Sequence, residues 1–257
     1  GLIRFLDNFD SDKAHSLFFR KLKGEWFRRI LFAGEPNEYQ AGLCADIPWE
    51  DIQHALDDLL SHRMDSNVTA PKPLLGRAFI NAIFEPTAIR RNARRWGEKT
   101  PRNIVFIKEL WQMFPNMRFL HIIRDGRDVV ASMLQNGFWP IAPSPYHPET
   151  ANFKGMVNFE LATDYWVTML DIARQSAAFV PRENYMEIRL EDLVSQPPLI
   201  IGRIMEFLNE DIDPALLSFN LSRSNANRWR QDLTPRQIAY FQDRAGFVLQ
   251  REGYDLA

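Results

Sequence analysis

FLHIIRDGRDVVAS, residues 119–132, passes abruptly from an apolar run to a knot of charge. Phe119–Ile123 has the composition of a buried parallel strand, continuous in Ile, Leu and Phe rather than alternating. Arg124, Asp125, Gly126 and Arg127 then interrupt it, with a glycine that permits a sharp turn, and VVASML follows as a helix. In an open α/β sheet, ligands lie beyond the carboxyl ends of the strands, beside helix N-termini. Backbone N–H groups and the helix dipole there favour an anion. Arg124 and Arg127 carry forked donors suited to phosphate or sulfate, and Ser132 adds a hydroxyl on the following helix. The same residues also admit a purely internal pairing, with Arg124 and Arg127 neutralised by Asp125 and Asp128. The residues alone leave both open.

Working outward, YMEIRL (185–190) is a second apolar strand candidate, matching RFLHII (118–123). Helical patterns fill the space between and around them. NIVFIKELWQMF (103–114) reads as a helix stopped by Pro115-Asn116. FELATDYWVTMLDIARQSAAF (159–179) and LIIGRIMEFLN (199–209) follow as helices. Thr234-Pro235 makes a cap and first-turn pair for the last one. Upstream, Leu17, Phe18, Leu22, Trp26, Ile30 and Leu31 recur at helical intervals. So do Ile52, Leu56, Leu59 and Leu60 after Pro48. Pro71 and Pro73 break the chain before LGRAFINAIF (75–84), again helical. The expected class is α/β, a parallel sheet flanked by helices, with a helical insertion in the N-terminal third. One domain spans 1–257, mostly helical over 1–95 and α/β over 96–257. Residues 137–157 hold four of the sixteen prolines and read as a loop or lid, whose Phe138, Trp139, Tyr146 and Phe153 suit an acceptor-facing surface.

Composition narrows the partners. The chain has 257 residues, 46% apolar and 25% charged, with net charge −2, which gives no general case for nucleic-acid binding. No apolar run approaches the roughly 18 residues needed to span a bilayer, and GLIRFLDNFDSDK lacks a signal-peptide core. The single cysteine, Cys44, forbids a disulfide within the chain and fits a reducing compartment. His15, His54, His62, His121 and His147 show no ligand spacing with Cys44 or each other, so no metal is expected. His121 falls inside a strand as a core histidine. His147, in the proline-rich stretch, has the right chemistry for a base acting on an acceptor hydroxyl, as has Glu98. The run RRNARRWGEKTPR (90–102) concentrates positive charge around Lys99.

HIIRDGRDVVASM resembles the 3′-phosphate-binding motif of sulfotransferases that use 3′-phosphoadenosine 5′-phosphosulfate (PAPS). Three further segments agree in order and spacing. WGEKTPRNIVFIKELWQMFPNMRF (96–119) resembles the family's Lys-Thr-Pro segment, helix and Phe-Pro turn. MEIRLEDLVSQP (186–197) resembles its Arg-Tyr-Glu-Asp-Leu segment, and SRSNANRWRQDLTPRQ (222–237) its C-terminal segment that closes over the nucleotide. The resemblance covers roughly 90–257 and implies a P-loop-nucleotide-kinase-like fold. It implies that Arg124 and Ser132 bind the 3′-phosphate, with Arg127, Arg228 and Trp229 beside the nucleotide. Lys99 would lie near the sulfuryl group, where a fixed cation lowers the barrier by stabilising charge on the leaving oxygen. The donor would be PAPS, without a metal, and its sulfuryl group would pass to a hydroxyl or amine of the acceptor. The acceptor would be a carbohydrate, peptide, lipid or small molecule of unidentified kind, in a bacterial-type cytoplasmic enzyme or a trimmed lumenal domain.

One departure stands out. The family's Pro-x-Ser-Gly-Thr-Thr turn, whose amides cradle the 5′-phosphosulfate, has no counterpart in residues 1–257. APKPLLGRAF (70–79) follows no strand and has no Ser or Thr after Gly76. A sheet without its first strand would leave an apolar edge unpaired, so the missing segment is expected upstream of Gly1. The alternatives are a degenerate nucleotide-binding or interaction module without transfer chemistry, and a P-loop kinase.

Overall fold

The two apolar runs pair as the parallel strands their composition predicts. The computed structural model describes residues 47–48, 50–51, 54–55, 58, 72–99, 101–136, 158–221 and 224–257. The amphipathic stretch 12–32, the proline-rich stretch 137–157 with His147, and Cys44, His15 and His62 lie outside the described residues. The described residues divide into two compact units. One reaches to Pro101 and includes Glu109–Pro115; the other comprises Arg102–Lys108 and Asn116–Ala257.

In the first unit, α1 spans Lys72–Arg90. It begins earlier than the prolines suggested: Pro73 sits in its first turn, where a missing N–H leaves no hydrogen bond unmade. Asn92, with φ 51°, ends it in the left-handed conformation, and the Ala93 amide donates back to the Ala88 carbonyl at 2.8 Å. Phe79, Ile80, Ile83 and Phe84 are buried. Phe84 stacks on Trp96 with centroids 4.6 Å apart, and Trp96 meets Phe114 edge-on at 5.6 Å. The expected helix over 103–114 is in fact a 3-10 turn, Pro101–Phe106, running into α2, Ile107–Met113.

In the second unit, β1 is Phe119–Ile123 and β2 is Tyr185–Arg189. They run parallel in the register Phe119↔Tyr185 to Ile123↔Arg189. Parallel neighbours need a crossover, supplied here by α3 (Gly126–Asn136) and α4 (Phe159–Ala177). After β2 come α5 (Leu190–Ser195), α6 (Pro197–Leu208), α7 (Pro214–Leu217), α8 (Trp229–Asp232) and α9 (Pro235–Arg251). Thr234 caps α9 reciprocally with Gln237, and Pro235 opens its first turn, as the sequence predicts. The chain is therefore α/β. Its core in this unit joins Ile123, Val130 and Met133 to Trp166, Trp229, Phe241 and Leu249.

Gly126 shows why the core closes at the end of β1. A Cβ there would lie 2.5 Å from Trp166 Cδ2 and 2.7 Å from Phe241 Cζ. Its φ is not positive. The glycine is thus required by the close approach of two rings rather than by the turn conformation.

Across the sheet, one face carries a part-buried polar network. His121 Nδ1 lies 2.8 Å from Tyr185 Oη and 3.2 Å from Glu187 Oε1, while Arg174 of α4 donates to both Glu187 and Glu252. His121 is thus the satisfied core histidine expected of it. Burial opposes ionisation of Glu187. Hydrogen bonds from His121, Arg174 and Tyr185, with the Arg174 charge, outweigh it and bring the carboxyl down to about 2.

Two expectations follow. Gly126→Ala should lower unfolding stability by about 1–3 kcal/mol, the usual cost of forcing an atom into a packed core; an unchanged urea midpoint would contradict the ring contact. The Glu187 carboxyl, lowered from 4.5 to about 2, contributes stability that is present above 4.5 and lost as pH falls towards 2. Urea midpoints taken from about pH 6 to about pH 3 should therefore fall more steeply for the wild type than for Glu187→Gln. Parallel curves would refute that role.

Candidate functional site

The turn between β1 and α3 treats its two arginines differently, pairing one internally and leaving the other towards the surface. Asp125 is buried at the start of α3 and accepts the Arg127 amide at 2.9 Å, in the manner of an N-cap. Its carboxylate also takes the Arg127 fork, with Nε at 3.0 Å and Nη2 at 2.7 Å. The expected internal pairing therefore exists for Arg127. That side chain is 3% exposed and lies over the Trp229 ring, 3.8 Å from its centroid.

Arg124 is placed differently. Its side chain is 23% exposed, and Nη2 donates to the Asn225 carbonyl at 2.8 Å while standing 3.9 Å from Asp128 Oδ2. Trp166 Nε1 fixes the backbone here by donating to the Arg124 carbonyl at 3.3 Å. Asp128 is buried and receives two amides from the C-terminal segment, Asn227 at 2.6 Å and Trp229 at 2.8 Å. Burial raises its carboxyl above the ordinary carboxylate range, and the amides of Trp229 and Asn227 and the Arg124 charge only partly offset that. Ser132 lies one helical turn beyond Asp128 on α3, half-buried.

The C-terminal segment thus folds onto the turn, bringing four of the sequence-predicted residues together: Arg124, Arg127, Arg228 and Trp229. Arg228 Nη1 donates to Asn225 Oδ1 at 3.1 Å, and Nη2 lies 3.2 Å from Asp232. Asn225 therefore bridges Arg124 and Arg228, by its carbonyl and its side chain. The expectation that Arg127 and Trp229 face a nucleotide needs correction for their bulk, because both are packed into the core. Trp229 is 1% exposed. Each nevertheless retains one buried donor: Arg127 Nη1 and Trp229 Nε1, like Arg124 Nε, have no hydrogen-bond partner among the described residues.

Lys99 belongs to the other unit, where it is exposed in the irregular stretch 93–99. Asp128, Asn225 and Asn227 were not anticipated as site residues. Asn225 and Asn227 have φ 55° and 63°. Asparagine is the non-glycine residue that enters this region most readily, so the spacing Asn-Ala-Asn in 225–227 was the available signal.

A separate concavity of about 520 Å³ lies beside β2, lined by Arg174, Arg189, Arg203 and Arg251 among others. Arg174, Arg189 and Arg251 are already paired with carboxylates there, so the turn after β1 is the better candidate for an anion. Among the described residues no group of three or more His, Cys, Asp or Glu could hold a metal ion. No described helix is long and apolar enough to cross a membrane.

Comparison with known proteins agrees with this geometry. The chain is 25% identical over 177 residues to protein-tyrosine sulfotransferase A of Caenorhabditis elegans, covering 61% of this chain and 43% of that protein. It is 25% identical over 169 residues to the omega-hydroxy-beta-dihydromenaquinone-9 sulfotransferase of Mycobacterium bovis, covering 61% of this chain and 40% of that one. The match thus spans about two fifths of the length of these curated relatives. Among solved structures, the sulfotransferase domain from the curacin biosynthetic pathway superposes with TM-score 0.53 at 15% identity, over 80% of this chain and 79% of that domain. It supports the shared α/β fold. The pattern characteristic of the sulfotransferase family matches residues 26–214, which takes in β1, the charged turn and β2, and so the chain belongs to the sulfotransferase family.

Proposed function

We propose that the protein binds PAPS and moves its sulfuryl group to an acceptor hydroxyl. The observation that carries this reading is the trio of buried donors lacking acceptors among the described residues: Arg124 Nε and Arg127 Nη1 on the turn after β1, and Trp229 Nε1 on the segment folded against it. A buried unsatisfied donor costs about 1–3 kcal/mol. Two of them on arginines beside a helix N-terminus, with the third on the segment packed against it, fit a group rich in acceptor oxygens and negative charge. A phosphate is such a group.

Arg124 and Ser132 would hold the 3′-phosphate, and Arg228 would close from the C-terminal segment. These assignments come from the resemblance, and the bridge through Asn225 supports them by tying Arg124 to Arg228. PAPS supplies the sulfuryl group to be transferred. Lys99, from the Lys-Thr-Pro segment, would act as the fixed cation for the developing charge. The protein's work is otherwise positioning and water exclusion.

The relatives favour oxygen over nitrogen as the accepting atom. One is named for protein tyrosine, whose nucleophile is a phenol, and the other for an omega-hydroxyl. Both are hydroxyls. The P-loop-nucleotide-kinase-like character of the fold belongs to the same proposal.

Calorimetric titration of the full-length protein with 3′-phosphoadenosine 5′-phosphate tests it. Arg124→Ala should weaken binding at least about tenfold, or about 1.4 kcal/mol, as loss of a charge-assisted contact requires. Adenosine 5′-phosphate, lacking the 3′-phosphate, should bind wild type and variant within about twofold of each other. Failure of the wild type to bind, or equal affinity of both proteins for the 3′-phosphorylated nucleotide, would dismiss the site. Lys99→Ala should lower kcat while leaving nucleotide affinity unchanged. An unaltered kcat would remove its catalytic assignment.

A further inference from the structure

Two amides from the C-terminal segment converge on one buried side chain. Asn227 has left-handed backbone at φ 63°, and Arg228 follows with φ −67° and ψ −23°, right-handed. Consecutive residues of opposite hand turn their N–H groups to one side and create a small concavity for an anion. Here the anion is part of the chain. Asp128 Oδ2 accepts from Asn227 at 2.6 Å and Oδ1 from Trp229 at 2.8 Å. Asp128 is 1% exposed, so this carboxylate is removed from water and depends on those donors and on Arg124 at 3.9 Å.

The consequence reaches the arginines. With residues 227–229 pinned, Asn225 presents its carbonyl to Arg124 Nη2 at 2.8 Å and its Oδ1 to Arg228 Nη1 at 3.1 Å. A segment released from Asp128 would carry Asn225, Arg228 and Trp229 away from the turn together. We infer that Asp128 is a positioning residue: its carboxylate seats the 225–229 segment on the β1–α3 turn and thereby sets the affinity of the donor-nucleotide site. This rests on the nucleotide reading above. Asp128 itself would not touch the nucleotide, since both its oxygens are occupied by backbone amides.

The arrangement also explains a choice of residues. A glutamate at this position would carry its carboxylate one methylene further from α3, into the space of the seated amides. An asparagine would present an NH₂ group to one of two N–H donors. Only one acidic side chain of this length matches two amides spaced two residues apart.

Asp128→Asn in the full-length protein supplies the test, read by amide hydrogen exchange of the free protein and by titration with 3′-phosphoadenosine 5′-phosphate. Exchange at Asn227 and Trp229 should quicken at least about tenfold while the α9 core amides keep their protection. Nucleotide affinity should fall at least about tenfold. Combined with Arg124→Ala, the loss should exceed that of Arg124→Ala alone by no more than about twofold, because both changes disable one unit. Retained protection in Asp128→Asn overturns the inference. So does lost protection with unchanged affinity, and so do fully additive losses in the double variant. A wild type that does not bind the nucleotide overturns the donor site itself, and the role of Asp128 with it, whatever the exchange shows. Should Asp128→Asn not fold, the exposed Asn227 tests the same seat from the other side. Asn227→Ala should weaken nucleotide binding and unprotect the Trp229 amide, whereas Asn227→Gly, which keeps the left-handed backbone, should restore both. Equal behaviour of the alanine and glycine variants would refute the seat.

Discussion

A carboxylate that has lost its water must be given other partners, and Asp128 finds them about a hundred residues further along the chain. That single requirement ties the turn after the first strand to the segment before the last helix. The candidate anion-binding residues lie on one side or the other of this junction. Arg124 and Ser132 come from the turn; Arg228 and Trp229 come from the returning segment. Without the junction they are four side chains at unrelated places in the sequence.

The neighbouring acid solves the same problem differently. Asp125 is equally buried, but it takes a local partner, accepting both the Arg127 fork and the Arg127 amide in the first turn of α3. Its own amide donates to Glu191 Oε1 at 3.0 Å, and Glu191 in turn accepts from Tyr254 Oη at 2.9 Å. Two acids three positions apart thus do distinct work. Asp125 keeps Arg127 flat on Trp229 and joins the turn to the segment after β2, while Asp128 reaches outward. Breaking the Asp125–Arg127 pair would leave a buried charge without its counterpart, which costs far more than the pair contributes. Gly126 lies between them because Trp166 and Phe241 leave no room for a side chain.

The strands were legible in the sequence because continuous apolar runs of that length have few other uses in an α/β chain. Both appear within a residue of their expected limits. The Thr234-Pro235 cap was legible because its signal is local. The start of α1 was not, since proline reads as a breaker unless one knows that it falls in the first turn. Arg124 could be singled out from its place after a strand. The burial of Arg127 and Trp229 could not, because it depends on a contact made over a hundred positions away. Asn225 and Asn227 were hidden for a related reason. Asparagine in a polar segment looks like ordinary loop chemistry until the backbone is seen to be left-handed.

Charge balance at the junction bears on what it can hold. The chain as a whole carries −2, yet the turn and returning segment contribute Arg124, Arg127, Arg228 and Arg230 against Asp125, Asp128 and Asp232. Those acids are not equivalent. Asp125 consumes the Arg127 charge at 2.7 Å, and Asp232 stands 3.2 Å from Arg228 on a partly exposed pair, where screening leaves little net attraction. Asp128 spends its oxygens on neutral amides and leaves Arg124 only a distant partner at 3.9 Å. By satisfying the buried acid with backbone rather than with guanidinium, the fold leaves the Arg124 guanidinium without a close carboxylate while still anchoring the segment that brings Arg228. Had Asp128 paired with Arg124 as Asp125 does with Arg127, the junction would hold as well but would offer an anion nothing. Local structure, and not net charge, is what gathers cationic donors at this junction of a near-neutral chain.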